Sequence, residues 1–183
     1  MALTVRDATE ADAPALSAIY GDSCVNGFGT FEEEAPPPEE MARRLAEVKQ
    51  MGLPYLVAEA EGAVVGLCYA KPFRPRSAYR FTVEDSVYIA PGAQGTGVGK
   101  VLLTELIARC EALGLRQMTA VIGDSQNAGS IGLHRSMGFE HAGVFRSVGH
   151  KHGRWVDIVF MQRPLNGGDA SPPSGAGQTL REP

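Results

Sequence analysis

Between residues 87 and 103 the chain reads VYIAPGAQGTGVGKVLL: an apolar strand-like run, a glycine-rich turn and the apolar start of a helix. Glycines at a strand-to-helix junction suit one chemistry above others, the gripping of an anion. The first N–H groups of a helix point outward with a partial positive charge, and a missing Cβ lets a phosphate come close. Two phosphate loops can be tested by counting. A P-loop requires Gly, four residues, then Gly-Lys-Ser/Thr; Gly99-Lys100 fits, but Gln94 and Val101 stand at the two ends. A dinucleotide fingerprint requires G-x-G-x-x-G; Gly95-x-Gly97 leads to Lys100, and Gly97-x-Gly99 leads to Leu102. Both fail. What remains, Gln94-x-x-Gly97-x-Gly99, fits an anion cradle and a plain tight turn equally well.

Other reactive side chains are grouped rather than scattered. Asn127, Ile131 and His134 fall at i, i+4 and i+7 and share one helical face. An imidazole, with an ordinary pKa of about 6.5, can donate to a thiolate or accept from an ammonium near neutral pH. The stretch KPFRPRSAYRFTVE sets Arg74, Arg76, Tyr79 and Arg80 just ahead of Glu84. Guanidinium forks pair in bidentate fashion with carboxylate or phosphinate. Strand alternation sends Glu84 and Asp85 to opposite faces. Each also has an ordinary structural use: Asn127 as a helix cap, His134 bonded to backbone, Glu84 as a solvated or salt-bridged carboxylate, the arginines as a solvated loop.

The elements that must position these groups follow from periodicity. Residues 4–8 read as a strand, with Thr9 capping a helix from Glu10 to about Gly27 whose apolar stripe is Ala15, Leu16 and Ile19. PPPEEMARRLAEVKQM begins a second helix with Met41, Leu45 and Val48 on one face, and NGFGTFEEEA between the two is an exposed loop. YLVAEA and VVGLCYAKPF, separated by EGA, form a hairpin, and YRFTVEDSVYIA is a longer strand. After the glycine turn a helix runs from Gly97 to about Leu113, with Gly114 as its C′ residue. RQMTAVIG is a strand and NAGSIGLHRSMG a helix; FEHAGVFRSVG and RWVDIVFMQRPL close the domain as a hairpin. The expectation is one domain over residues 1–165: an α/β fold with a mixed, mostly antiparallel central sheet of about seven strands and about four helices on its two faces. The tail 166–183 has almost no apolar content and is expected to be disordered.

Composition excludes several functions. The 17 Lys and Arg are dispersed and outnumbered by 21 acidic residues, so no basic patch suggests nucleic acid. No apolar run approaches the ~20 residues of a membrane span, and the acidic start of the chain is not a signal peptide. Cys24, Cys68 and Cys110 are odd in number, far apart and set in apolar or helical contexts: packing thiols of a cytoplasmic protein, with no metal-ligand spacing.

Taken together, VYIAP, the Gln94-x-x-Gly97-x-Gly99 turn and helix, MTAVIG and NAGSIGLHRSMGF resemble the GNAT superfamily of acyl-CoA-dependent N-acyltransferases. TVEDSVYI, LHRSMGF and VGHKHGRWVDIVFMQ, with Gly149-x-Lys151-x-Gly153-x-Trp155-x-Asp157, are similar to its phosphinothricin and methionine-sulfoximine N-acetyltransferase branch, over about residues 3–165. The resemblance implies that the turn holds the pyrophosphate of acetyl-CoA, through Gln94, Gly95, Thr96, Gly97, Val98, Gly99 and Lys100. It implies that Val87, Tyr88 and Ile89 pair with the pantetheine amides, and that Asn127, Ser136 and, more weakly, Ser130 contact the same molecule. Glu84 stands where the branch carries its catalytic glutamate. His134 stands where the wider superfamily often has Tyr, so its part as acid or base is not assigned. Direct attack of the amine needs no acyl-enzyme.

The branch acts on small amino-acid analogues, which makes Arg74, Arg76, Tyr79 and Phe31 the expected acceptor ligands, with Lys151 a weaker one. A homodimer is also implied. Two other readings stand beside this one: the same reaction on a polyamine, an aminoglycoside or a protein N-terminus, and an acyl-CoA-binding sensor without catalysis.

Overall fold

A computed structural model of the chain describes residues 3–180; the first two residues and the last three of the expected disordered tail lie outside the described residues. These residues form seven strands and four α-helices in the order β1 (Leu3–Asp7), α1 (Ala13–Asn26), α2 (Pro38–Gln50), β2 (Tyr55–Ala60), β3 (Ala63–Pro72), β4 (Thr82–Ile89), α3 (Val98–Ala112), β5 (Gln117–Gly123), α4 (Ala128–Ser136), β6 (Glu140–Lys151), β7 (Arg154–Pro164). They make one seven-stranded sheet of order β1-β2-β3-β4-β5-β7-β6. Neighbours are antiparallel except β4 and β5, which run parallel.

Local chemistry sets the element boundaries. The first helix does not begin at Glu10: Glu10–Asp12 is a single 3-10 turn, and Pro14 in the first turn of α1 suits the missing N–H there. Thr9 does not act alone as the cap. The Asp12 carboxylate accepts from the Thr9 N–H at 2.7 Å and from its hydroxyl at 3.1 Å, while the Arg6 fork donates to both Asp12 oxygens at 2.8 Å. These donors hold the Asp12 pKa down at about 2, the Arg6 hydrogen bond first among the causes. The strand expected from residue 79 starts at Thr82, because Ser77–Tyr79 forms a further 3-10 turn.

Alternation along β4 puts Val83, Asp85, Val87 and Ile89 on one face and Glu84, Ser86 and Tyr88 on the other. Helices α3 and α4 cover the first face: Val98 and Leu102 of α3 approach Gly66 of β3, and His134 of α4 meets Asp85. Helices α1 and α2 cover the second, where Tyr20 packs edge-on against Tyr88 at 4.8 Å between ring centres. Leu102, Leu103 and Leu106 of α3 are fully buried, each contributing about 1.5–3 kcal/mol by leaving water. Beyond Leu165, residues 166–180 form no helix or strand. Arg116 donates to the carbonyls of Gly168 and Ser171, and the Gln178 N–H donates to Arg80 O at 2.8 Å.

Candidate active site

The parallel pair β4–β5 is the weak seam of the sheet. It is registered only from Thr82↔Gln117 to Asp85↔Ala120. Past that rung β4 continues alongside β3 as far as Ile89, and β5 alongside β7 as far as Gly123, but the two no longer pair with each other. The sheet therefore opens as a fork, and on the β4 edge the main-chain groups of residues 86–89 have no strand partner among the described residues. Unpaired backbone of this kind is a template for another extended chain.

The fork is the centre of a cleft of about 640 Å³. Its lining comes from both faces of the sheet: Asp22, Ser23 and Asn26 from α1, and Asn127, Ser130 and Ser136 from the α4 end. Its floor is β4 from Asp85 to Ile89 and β5 from Ala120 to Gly123, and Gln94, Gly95, Gly97, Gly99 and Lys100 close one end. Gly97, the N-cap of α3, has φ 93°, a left-handed conformation that costs a side-chain-bearing residue about 1–2 kcal/mol. No atom lies within 4 Å of where its Cβ would be. The start of α3, whose opening N–H groups have no partner within the helix, therefore borders the cleft with room for an anion beside Gly97. Thr96 turns its hydroxyl back to Ala93 O at 2.6 Å, and the Val98 side chain is buried in the core.

Asn127 caps α4, its Oδ1 accepting from Ser130 N–H at 3.1 Å, while the same side chain lines the cleft. The Ser136 hydroxyl donates to Leu133 O at 2.7 Å. His134 is 3% exposed. Its Nδ1 lies 2.7 Å from Ser130 O, and its Nε2 lies 3.0 Å from Asp85 Oδ2. Burial works against a charged ring, but the Asp85 carboxylate outweighs it, and the His134 pKa is raised.

Glu84 is half-buried on the opposite face of β4 and does not line the cleft. Burial raises its pKa; Asp85 adds to the rise, and Arg74 and Lys71 oppose it. Lys71 is its register partner on β3. Lys71 and Arg74 line a second groove, of about 970 Å³, with Arg44 and the tail residues Gly177–Leu180. The Arg74 guanidinium lies 4.3 Å from the Phe73 ring centre. Arg76 and Tyr79 are exposed on the following loop and line neither cavity; Tyr79 stands edge-on to Phe73 at 5.6 Å.

Phe31 packs on Gly149 so closely that a Cβ there would come within 2.1 Å of its ring. Lys151, expected as a weak acceptor ligand, is instead 1% exposed; its ammonium donates to Thr30 O at 2.8 Å and Ser23 O at 3.3 Å. Burial pushes its pKa down. It ties the 27–34 loop to the end of α1, where helix carbonyls want a cation. Gly123 completes that tie, since any Cβ there would sit 1.9 Å from Phe28 O.

Sequence reasoning placed Asp85 away from the chemistry. The signal was present: in the register Val83, Asp85, Val87, Ile89 it is the one polar residue on an otherwise apolar face, and a carboxylate there must find a partner.

Comparison with known proteins agrees with this geometry. Residues 5–160 match the acetyltransferase (GNAT) domain. The chain is 56% identical to a phosphinothricin N-acetyltransferase of Alcaligenes faecalis, over 94% of this chain and 87% of the relative. It is 43% identical to an L-methionine sulfoximine/L-methionine sulfone acetyltransferase of Pseudomonas paraeruginosa, over 91% and 96%. A crystal structure of a GNAT superfamily phosphinothricin acetyltransferase from Sinorhizobium meliloti, in complex with AcCoA, superposes with a TM-score of 0.93 at 51% identity, covering 97% of this chain and 96% of the other. A forked parallel seam, a glycine turn at the mouth of the fork and sequence identity along almost the whole chain lead to one conclusion: this chain is a member of the GNAT acetyltransferase family.

Proposed function

We propose that this chain transfers the acetyl group of acetyl-CoA to the α-amine of a small amino-acid analogue such as phosphinothricin or methionine sulfoximine. The observation that carries the reading is the fork between β4 and β5 meeting the glycine turn at the start of α3. The free edge of residues 86–89 suits an amide-bearing arm, and the N–H groups after Gly97 suit its diphosphate. The names of the relatives support the acceptor class.

Acetyl-CoA supplies the acyl group and a thiol as leaving group; the rest of the chemistry falls to the chain. The acceptor enters from the α1–α2 face, where Glu84 lies. Its ammonium gives a proton to Glu84, and the freed nitrogen forms the C–N bond as the C–S bond breaks. The second proton that the nitrogen sheds goes to the departing thiolate, which leaves as the thiol. Burial favours the neutral carboxyl of Glu84 and so makes its carboxylate a better base near neutral pH. Lys71 and Arg74, the cations whose charges reach Glu84, suit the acceptor's own anionic group. No cysteine takes part: all three are buried and free, and burial pushes the Cys110 thiol up to about 12.

The chain works as a homodimer in the cytoplasm. Phe145, Val148 and Trp155, 59%, 49% and 64% exposed, all belong to the β6–β7 hairpin at the sheet edge, and an exposed apolar edge is of the kind that copies of a chain bury. Buried thiols suit a reducing compartment. The test is an acceptor panel with free-thiol release as readout. Turnover with methionine sulfoximine or phosphinothricin and none with spermidine is the expected result; equal turnover of spermidine overturns the acceptor class.

A further inference from the structure

Of the described residues of α4, His134 alone is buried. The helix that carries Asn127, Ser130 and Ser136 along one wall of the cleft rests on the core through the partly buried Ile131 and Leu133 and through His134, its one fully buried side chain. Both nitrogens of that side chain are engaged. A carbonyl can only accept, so the contact of Nδ1 with Ser130 O at 2.7 Å requires the proton on Nδ1. Nε2 then faces Asp85 Oδ2 at 3.0 Å, and two lone pairs cannot meet at that distance. A second proton must lie between them. An imidazole is a far stronger base than a carboxylate, so the proton belongs to the ring.

The surroundings leave this assignment unopposed. Asp85 and His134 are 5% and 3% exposed. Cys68 of β3 and Cys110 of α3 sense the Asp85 charge, and both thiols are held neutral by burial. Glu84, the neighbouring residue of β4, points to the other face. Phe139 closes the ring from the side, edge-on at 5.0 Å. Asp85 is also the last registered residue of β4 before the fork opens. Among the described residues its Oδ1 is buried with no hydrogen-bond partner.

We propose that Asp85 is a positioning residue: it holds His134 as an imidazolium and so pins α4 across the vertex of the fork, setting the wall that acetyl-CoA must meet. With both nitrogens committed, His134 does not exchange protons with the acceptor or the leaving thiol; its charge is structural. The inference concerns the ligand-free chain and does not depend on Glu84 being the base.

Ring-nitrogen NMR of the histidine-labelled wild-type protein without ligand is the direct test. His134 is expected to show both nitrogens protonated at neutral pH and to titrate above the ordinary value of about 6.5. A bare Nε2 at neutral pH, or a midpoint at or below that value, overturns the proposal. In Asp85→Asn the midpoint should fall by at least one pH unit, a tenfold change in proton affinity, and the KM for acetyl-CoA should rise about tenfold while the acceptor KM stays within about twofold. Asp85→Glu, which keeps a carboxylate, should restore part of the midpoint. An unmoved midpoint in Asp85→Asn refutes the pairing, and an unmoved acetyl-CoA KM refutes the pinning of α4. If Asp85→Asn does not fold, the wild-type spectrum alone decides. Failure of every amine in the acceptor panel would refute the acetyltransferase reading and leave these spectra unaffected.

Discussion

Glu84 and Asp85 are adjacent carboxylates with opposite surroundings. Asp85 faces α4 and a ring that neutralises it; Glu84 faces the α1–α2 side, where burial raises its pKa. As the proposed base, Glu84 must be deprotonated to act, so kcat/KM should fall as pH drops through its raised value. The acid limb of the pH–rate profile should accordingly lie above the ordinary carboxyl range of about 4.3. Glu84→Gln should remove that limb and lower kcat by ~10²–10⁴-fold, with acetyl-CoA affinity by calorimetry within about twofold of wild type. An acid limb that persists in Glu84→Gln would transfer the base to another group. Asp12 offers a stability counterpart. Its pKa is lowered to about 2 by Arg6, so its contribution is fully present above the unfolded value of about 3.9 and is lost as pH falls through about 2. Asp12→Asn should cost about 2 kcal/mol at neutral pH in urea unfolding, and the difference from wild type should shrink below about pH 3.

Among the elements, the glycine turn is the most exposed to a single change. Gly97→Ala puts a side chain on a backbone at φ 93° and should straighten the first turn of α3. Acetyl-CoA affinity should fall at least tenfold by calorimetry while far-ultraviolet circular dichroism stays the same. Such elements were legible in the sequence because their signals are local. Gly114 ends α3, EGA closes the β2–β3 turn, and Asn127 caps α4, each within four residues of what it affects. Contacts between distant residues were not legible. Asp85 and His134 are 49 positions apart, and Lys151 reaches Thr30 over 121. Periodicity gives the face on which a residue lies but not what the opposing element brings there, so Lys151 read as a weak acceptor ligand and Asp85 as a less favoured base than Glu84. The parting of β4 from β5 is likewise invisible in a hydrophobic pattern, since both strands remain paired on their outer edges.

At the scale of the whole molecule, the exposed Phe145, Val148 and Trp155 belong to the edge hairpin β6–β7. The proposed homodimer should appear in sedimentation equilibrium of the wild type and be lost in Trp155→Glu; an unchanged mass would assign these side chains to something other than self-association. The same hairpin supplies Gly149 and Lys151, which seat Phe31 and the 27–34 loop beside the fork, so the exposed edge hairpin and the cleft mouth share one scaffold. The sheet itself is two slabs, β1–β4 and β5–β7, joined by a parallel seam of only four residue pairs. Whatever fills the gap serves as mortar between them. Heat tolerance should then track coenzyme supply, because a ligand present at a hundredfold excess over its Kd adds about 2.7 kcal/mol. In a cell starved of acyl donors, the two slabs would lose that support and the chain would be more readily unfolded and cleared.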